Sequence, residues 1–216
     1  MAGKIRMNER ETIIKDGIKL PQGMKGSARL EAGTARLPRA GMLGFICSIQ
    51  CPGSIVIRAL DAARELRDGN VCVIGGFHSP MERECLEILL RGKQRVGYCP
   101  AHGLDSLVLT ESQSAATKEG RLVLIAAFPP ELRKATVEQA VQRNDLIADL
   151  ATALWVPHAA PGGKAWATVR KSLAAGKPVY TFDDPANHEL LDVGAKRLSA
   201  PAIASLLEAI AQAAKD

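Results

Sequence analysis

Aromatic side chains are scarce in this chain: two Trp, two Tyr and four Phe among 216 residues. An aromatic-rich β-sandwich core is therefore excluded, and Ala, Leu, Val and Ile must fill the interior. That suits helices packed on a mostly parallel sheet. No apolar run approaches the roughly 18 residues of a membrane span. The first residues, Met1 to Glu11, are charged and lack the apolar stretch of an export signal, so a cytoplasmic location is expected. The five cysteines are odd in number, irregularly spaced and set in apolar stretches, which points to reduced thiols rather than a disulfide framework. Neither the strict GxGxxG fingerprint nor a P-loop occurs, and Cys47-x-x-x-Cys51 has no second ligand pair to complete a zinc site. No cofactor and no resident metal are expected.

Charge is present but unevenly placed. Residues 1–40 hold nine Lys/Arg against four Asp/Glu, while residues 41–216 hold 19 of each, so the whole formal excess of +5 lies in the first segment. That segment also carries Gly17, Gly23, Gly26, Gly33, Pro21 and Pro38 and has little apolar periodicity. It is read as an extended basic arm, 1–40, preceding one folded domain, 41–216. The arm could attract nucleic acid by neutralising phosphates, or simply be a solvated tail.

Beyond the arm, apolar runs alternate with helical spacing. Leu43 to Ser48, Val71 to Ile74, Val96 to Cys99, Leu122 to Ala126, Ala153 to Val156 and Pro178 to Thr181 read as buried strands. Helices are expected over 54–68, capped by Ser54 and ended by Gly69, and then over 80–90, 135–151, 164–175 and 201–214. A further helix is expected in the second half of 104–118, with a short helical piece at 190–193. This alternation predicts a doubly wound, mostly parallel Rossmann-like α/β sheet with helices on both faces. The strands near Phe45, Val73 and Tyr98 come first, with a further central strand near Val123.

Ligands of such sheets bind outside the carboxyl ends of the strands. Three loops there are rich in small and polar residues: Ser48 to Gly53, Gly75-Gly76-Phe77-His78-Ser79, and Pro161-Gly162-Gly163-Lys164. Glycines let backbone N–H groups approach an anion, and a helix N-terminus favours negative charge. Ser48, Gly75, Gly76, His78, Ser79, Gly162, Gly163 and Lys164 are therefore the candidate ligand- or phosphate-binding residues. Ser48, Gly75, Gly76, Gly162, Gly163 and Lys164 are expected to converge on one cleft, with Arg143 of the 135–151 helix near its rim as a phosphate contact and Asn144 beside it as a loop-bracing amide.

The same stretches resemble the DNA-processing protein A (DprA/Smf) family and, more broadly, the superfamily that includes the "lonely guy" hydrolases. The nearest likeness is Arg143-Asn144-Asp145-Leu146-Ile147-Ala148-Asp149-Leu150, which resembles the family's Arg-Asn-Arg-Ile-Ile-Ala-Gly-Leu. Gly75 to Glu82, Pro161-Gly162-Gly163, Thr168 and Gly176 to Tyr180 resemble its other motifs, so the likeness spans roughly 43–198. Ile49 stands where the family has an arginine, and Ser79-Pro80-Met81-Glu82 replaces its Arg-Gly-Ile-Asp. Neither the N-terminal helical module nor the C-terminal winged helix of many members is expected. The resemblance implies single-stranded DNA as ligand, a RecA-type recombinase as partner, homodimer formation and no catalytic turnover. It also supplies the strongest reason to single out Arg143 and Asn144, whose alternative reading is an ordinary exposed helix pair.

A second class of function stays open: a nucleotide-binding sensor or nucleotide hydrolase using the same glycine-lined edge. The hydrolase motif is only half present, since Pro161-Gly162-Gly163 is followed by Lys164-Ala165-Trp166. Glu82 and Glu84 stand close to the second loop, where a carboxylate could polarise a ribose or act as a general base, although two residues apart on a helix they do not face each other. His78 reads equally as a ligand contact or as a loop histidine bonded to backbone; His102 and His158 carry weaker versions of the same pair of readings.

Overall fold

A computed structural model describes residues 29–31, 37–38, 41–198, 204, 206–208 and 210. Eight strands form one sheet: β1 (Arg29–Glu31), β2 (Met42–Phe45), β3 (Cys72–Gly75), β4 (Val96–Tyr98), β5 (Leu122–Ala126), β6 (Ala153–Trp155), β7 (Val179–Phe182) and β8 (Lys196–Leu198). Among the described residues, six helices lie between the strands: α1 (Gly53–Asp68), α2 (Pro80–Leu89), α3 (Glu111–Lys118), α4 (Val137–Leu150), α5 (Lys164–Ala174) and α6 (His188–Asp192). The strand order is β1-β5-β4-β3-β2-β6-β7-β8. Every pairing is parallel except that of β1 with β5. The sheet is thus doubly wound and mostly parallel, as the alternation predicts. The Leu122–Ala126 strand is not central; it lies one strand in from the β1 edge.

Side chains alternate between two apolar layers, as the two-residue period of a strand requires. Leu43, Phe45, Val73, Leu122, Leu124, Trp155 and Phe182 join α1, α2 and α3 on one face. Met42, Ile74, Ile125, Leu154 and Val179 join α4, α5 and α6 on the other. Gly44 sets how closely α4 approaches. A Cβ there would lie 2.5 Å from Leu154 Cδ2 and 2.9 Å from Ala151 Cβ, so no larger residue fits at this spacing.

Three details differ from the sequence expectations. Pro52, not Ser54, is the N-cap of α1, and no side chain caps that helix. β8 is an additional strand after the Val179–Phe182 one; Lys196 and Arg197 are exposed, so its apolar signal is a single residue, Leu198. Part of the expected arm is in the sheet, since Arg29, Leu30 and Glu31 pair with Ala126, Ile125 and Leu124. Leu37 packs on the α4–α5 layer. Residues 1–28, with six Lys/Arg and three Asp/Glu, and residues 32–36 and 39–40, with Arg36 and Arg39, lie outside the described residues. The terminal helix expected over 201–214 is seen at 204, 206–208 and 210, with Leu206 and Ile210 buried.

Candidate functional site

The strand order reverses at β2, which has β3 on one side and β6 on the other. Phe45 is in register with both Gly75 and Trp155, so the loops after β2, β3 and β6 leave the sheet at the same, carboxyl edge. The sequence-predicted residues are all at this edge or under it, but they fall into two groups.

The first group lies at the β2–β6 crevice. Ser48 N–H donates to His158 O at 2.9 Å, and Ser48 Oγ accepts from Ala160 N–H at 3.1 Å. A Cβ on Gly163 would be 3.9 Å from the same Oγ. Gly162 has φ of +73°, a left-handed turn that glycine adopts without strain. Gly163 then opens α5 with no side-chain cap and no acidic residue in the first turn. The N–H groups and positive dipole end of α5 therefore face the edge beside Lys164.

The second group follows β3. Phe77 is fully buried at φ of +41°, an unusual backbone for a bulky residue. Its ring packs edge-on against Phe45 at 5.9 Å and Tyr98 at 5.8 Å, which holds the turn in place. Gly75 needs its missing side chain for that ring, since a Cβ would meet Phe77 carbons at 3.0–3.2 Å. Gly76 makes room for Arg143: a Cβ there would stand 1.2 Å from Arg143 Nη1. Arg143 is only 7% exposed, so it is neither a rim residue nor half of an exposed pair. Its Nη1 reaches Cys99 O at 3.4 Å, and its buried Nε has no hydrogen-bond partner.

Gly76, His78 and Arg143 line a cleft of about 320 Å³. Its other lining residues are Tyr98, Pro100, Ala101, His102, Lys134 and Ala135, and no carboxylate is among them. The far wall is two loops tied together. Gly103 N–H donates to Leu132 O at 2.8 Å, Asp105 N–H to Pro130 O at 3.3 Å, and Ser106 Oγ lies 3.0 Å from His102 Nδ1. Sequence reading gave His102 little weight and missed Lys134 and Tyr98; the position of Tyr98 at the end of β4 was the available signal. His78 connects the two groups electrostatically. Partial desolvation, then the charge of Arg143, pushes its imidazole below the ordinary value; Glu82 opposes this, and Arg83 and Lys164 add smaller lowering effects.

Ser79 and Asn144 are placed differently. Ser79 is buried and caps α2: its Oγ accepts from Glu82 N–H at 3.2 Å. The Glu82 carboxylate accepts from the N–H groups of His78 at 3.1 Å and Ser79 at 2.8 Å. The pair is a capping box, so the buried Ser79 oxygen accepts within the cap and Glu82 is engaged rather than free to act as a base. Asn144 is buried and does not line the cleft. Its neighbour Asp145 braces α4 on α5 through Lys171 Nζ at 2.8 Å and Thr168 Oγ1 at 3.3 Å. His158 Nδ1 lies 2.9 Å from Asn187 Oδ1, a structural contact. The Cys47 and Cys51 thiols share a hydrogen bond that raises Cys47 and lowers Cys51. Among the described residues, no three His, Cys, Asp or Glu side chains group to hold a metal ion.

These features define a doubly wound α/β protein whose carboxyl edge carries an open helix N-terminus and a cation-lined cleft, groups suited to holding an anion. Residues 32–216 match the family model described as DNA recombination-mediator protein A, and the chain belongs to that family. The fold is shared with the solved DNA processing protein A of Helicobacter pylori, studied for its single-stranded DNA binding mode. The two have a TM-score of 0.66 and 16% identity, over 77% of this chain and 80% of that one. It is also shared with DNA processing protein A of Streptococcus pneumoniae, at a TM-score of 0.63 and 14% identity. That match covers 76% of this chain and 60% of that one, so this chain spans less than two thirds of that protein. The molybdenum cofactor binding protein of Rippkaea orientalis matches at a TM-score of 0.58 and 12% identity, over 80% of this chain and 98% of that one. No curated protein matches the chain.

Proposed function

We propose that this protein binds single-stranded DNA at the carboxyl edge of its sheet, without turnover, in the DNA-processing role of its family. The observation that carries the reading is Arg143. A cation that is 7% exposed, with an unpartnered Nε, lines a cleft with no carboxylate among its described lining residues. A buried cation without an anionic partner is costly, and a bound phosphate would relieve that cost. Lys164 and the uncapped start of α5 extend the same positive edge toward β6. The solved relative from Helicobacter pylori is described as binding single-stranded DNA, and family membership carries that ligand class to this chain as part of the proposal. In this reading the protein works in the cytoplasm as a homodimer and passes the strand to a RecA-type recombinase. Among the described residues no helix is long and apolar enough to cross a membrane.

Binding is expected to be mostly electrostatic and nearly indifferent to sequence. Stacking contributes about 1–3 kcal/mol per base where an aromatic ring is available, and Tyr98 is the one aromatic residue lining the cleft. The test is titration of a labelled oligonucleotide at two salt concentrations. Affinity should fall steeply with salt. The truncation to use removes residues 1–28, because Arg29–Glu31 pairs in the sheet and Leu37 packs on it. Gly76→Ala forces the Arg143 guanidinium out of its place. It should weaken binding about tenfold, roughly 1.4 kcal/mol, with little change in melting temperature, since the displaced atoms are the end of a flexible side chain. Unchanged affinity in Gly76→Ala would remove the cleft from DNA binding.

A second reading, a sensor of a small phosphate-bearing ligand such as a nucleotide, is favoured by extent. The fold of this chain covers 98% of the Rippkaea orientalis cofactor-binding protein. A cleft of about 320 Å³ is also at the small-molecule scale. The hydrolase variant of that reading lacks a carboxylate among the cleft residues, and Glu82 is occupied by the α2 capping box. Tight, weakly salt-dependent binding of one mononucleotide, with no strand binding at low salt, would select the sensor.

A further inference from the structure

The Arg143 cleft offers more donor capacity than an internal phosphodiester can use. Arg143 brings an unpartnered, buried Nε and a second nitrogen held only by a 3.4 Å contact to Cys99 O. Across the cleft, His102 Nδ1 is taken up by Gly103 O and Ser106 Oγ, each at 3.0 Å, which leaves Nε2 as its remaining nitrogen. Lys134 and His78 complete a lining of four nitrogen-bearing side chains and no acid. A diester carries one charge and two free oxygens, and the strand must both enter and leave. A monoester carries about −1.5 to −2 charge and three strong acceptor oxygens. The volume, about 320 Å³, sits near the lower bound for ligand clefts and suits one nucleotide rather than a run of them.

We propose that this cleft takes a phosphate monoester on a nucleotide, either a free nucleoside monophosphate or the phosphorylated end of a strand, in preference to an internal diester. The inference rests on the reading of this edge as the phosphate-binding side. It adds that the cleft recognises an end, while the open N-terminus of α5 and Lys164, outside the cleft lining, are left for the diesters that follow. Binding a dianion beside His78 also reverses the repulsion from Arg143 and Lys164, so the complex should take up protons at this imidazole. The charged groups acting on His78 are Arg143, Glu82, Arg83 and Lys164.

The test uses the full chain and one labelled oligonucleotide in two forms, 5′-phosphorylated and 5′-hydroxyl, with a nucleoside 5′-monophosphate and the matching nucleoside as competitors. The phosphorylated strand should bind about five- to tenfold tighter, the scale of one added charge-assisted contact. The monophosphate should displace it and the nucleoside should not. Displacement by the monophosphate at similar affinity identifies the free nucleotide as a ligand; displacement only at far higher concentration identifies the strand end. His102→Gln and Lys134→Ala, on the loop wall, should erase the preference while the melting temperature holds, which separates recognition from folding. Equal affinity for the two strands, with no displacement by the monophosphate, overturns the inference and leaves the single-stranded DNA reading standing. Monophosphate binding without strand binding does the reverse.

Discussion

Two helices begin at the same sheet edge after glycine-bearing loops, and they begin in opposite electrical states. α2 is closed by its own side chains: Ser79 Oγ takes one N–H group and the Glu82 carboxylate takes two. α5 follows Pro161-Gly162-Gly163 with neither a capping side chain nor an acid in its first turn, and Lys164 stands at its first position. Glycine at a strand end makes a tight turn in both cases. What decides whether the dipole stays available to a ligand is the residue three places into the helix. Around α2 the protein instead places its cation from elsewhere, threading Arg143 of α4 across Gly76.

The contrast can be broken from either side. Glu82→Ala removes the acceptor for two N–H groups and an acidic residue at a helix start, and should cost about 2 kcal/mol by the cap and hydrogen-bond scales. Thermal or urea unfolding measures this. Oligonucleotide affinity should not fall, because the freed N–H groups become available to an anion. Lys164→Glu does the converse. An acid in the first turn should stabilise α5 by about 0.3–1 kcal/mol, while the salt-dependent part of strand binding weakens. Opposite signs in melting and titration would mark the start of α5 as binding surface, and loss of both would mark Lys164 as structural. The smallest effect belongs to His78. Its imidazole is held low in the folded protein, so as pH falls the unfolded chain takes the proton first. The stability tied to His78 is in place above the ordinary imidazole pKa of about 6.5 and is lost as pH drops toward the folded value. His78→Gln should therefore show a flatter melting temperature between about pH 7 and pH 5.

The sheet was legible where burial leaves a continuous apolar run, as at Val71 to Ile74, because a parallel strand covered on both faces has no polar side to show. β1 and β8 were not, because each is a three-residue strand with charged residues, Arg29 and Glu31 in one and Lys196 and Arg197 in the other. The carboxyl-edge loops were legible from glycine and the switch-point rule. The capping box was also written in the sequence, as Ser79-x-x-Glu82 before an apolar helix, and reading Ser79 as a ligand passed over it. The burial of Arg143 could not be read, because a helix pattern does not say what lies across the sheet from it. The wall carrying His102 and Lys134 depends on hydrogen bonds between segments about thirty residues apart, such as Gly103 with Leu132.

Gly44 gives the site a control that lies outside it. The C-terminal half of α4 rests on the sheet at this residue, with Ile147 Cγ2 and Ala151 Cβ at 3.3 and 2.9 Å from where a side chain would begin, and Lys177 Nζ holds the last carbonyls of the helix at Ala148 and Ala151. Arg143 is one turn back along the same rod. A methyl group added at Gly44 should press first on Leu154 Cδ2 and Ala151 Cβ and then, through Ile147, on the rod that carries the guanidinium. The depth at which Arg143 sits is therefore set in part by a glycine that does not line the cleft at all.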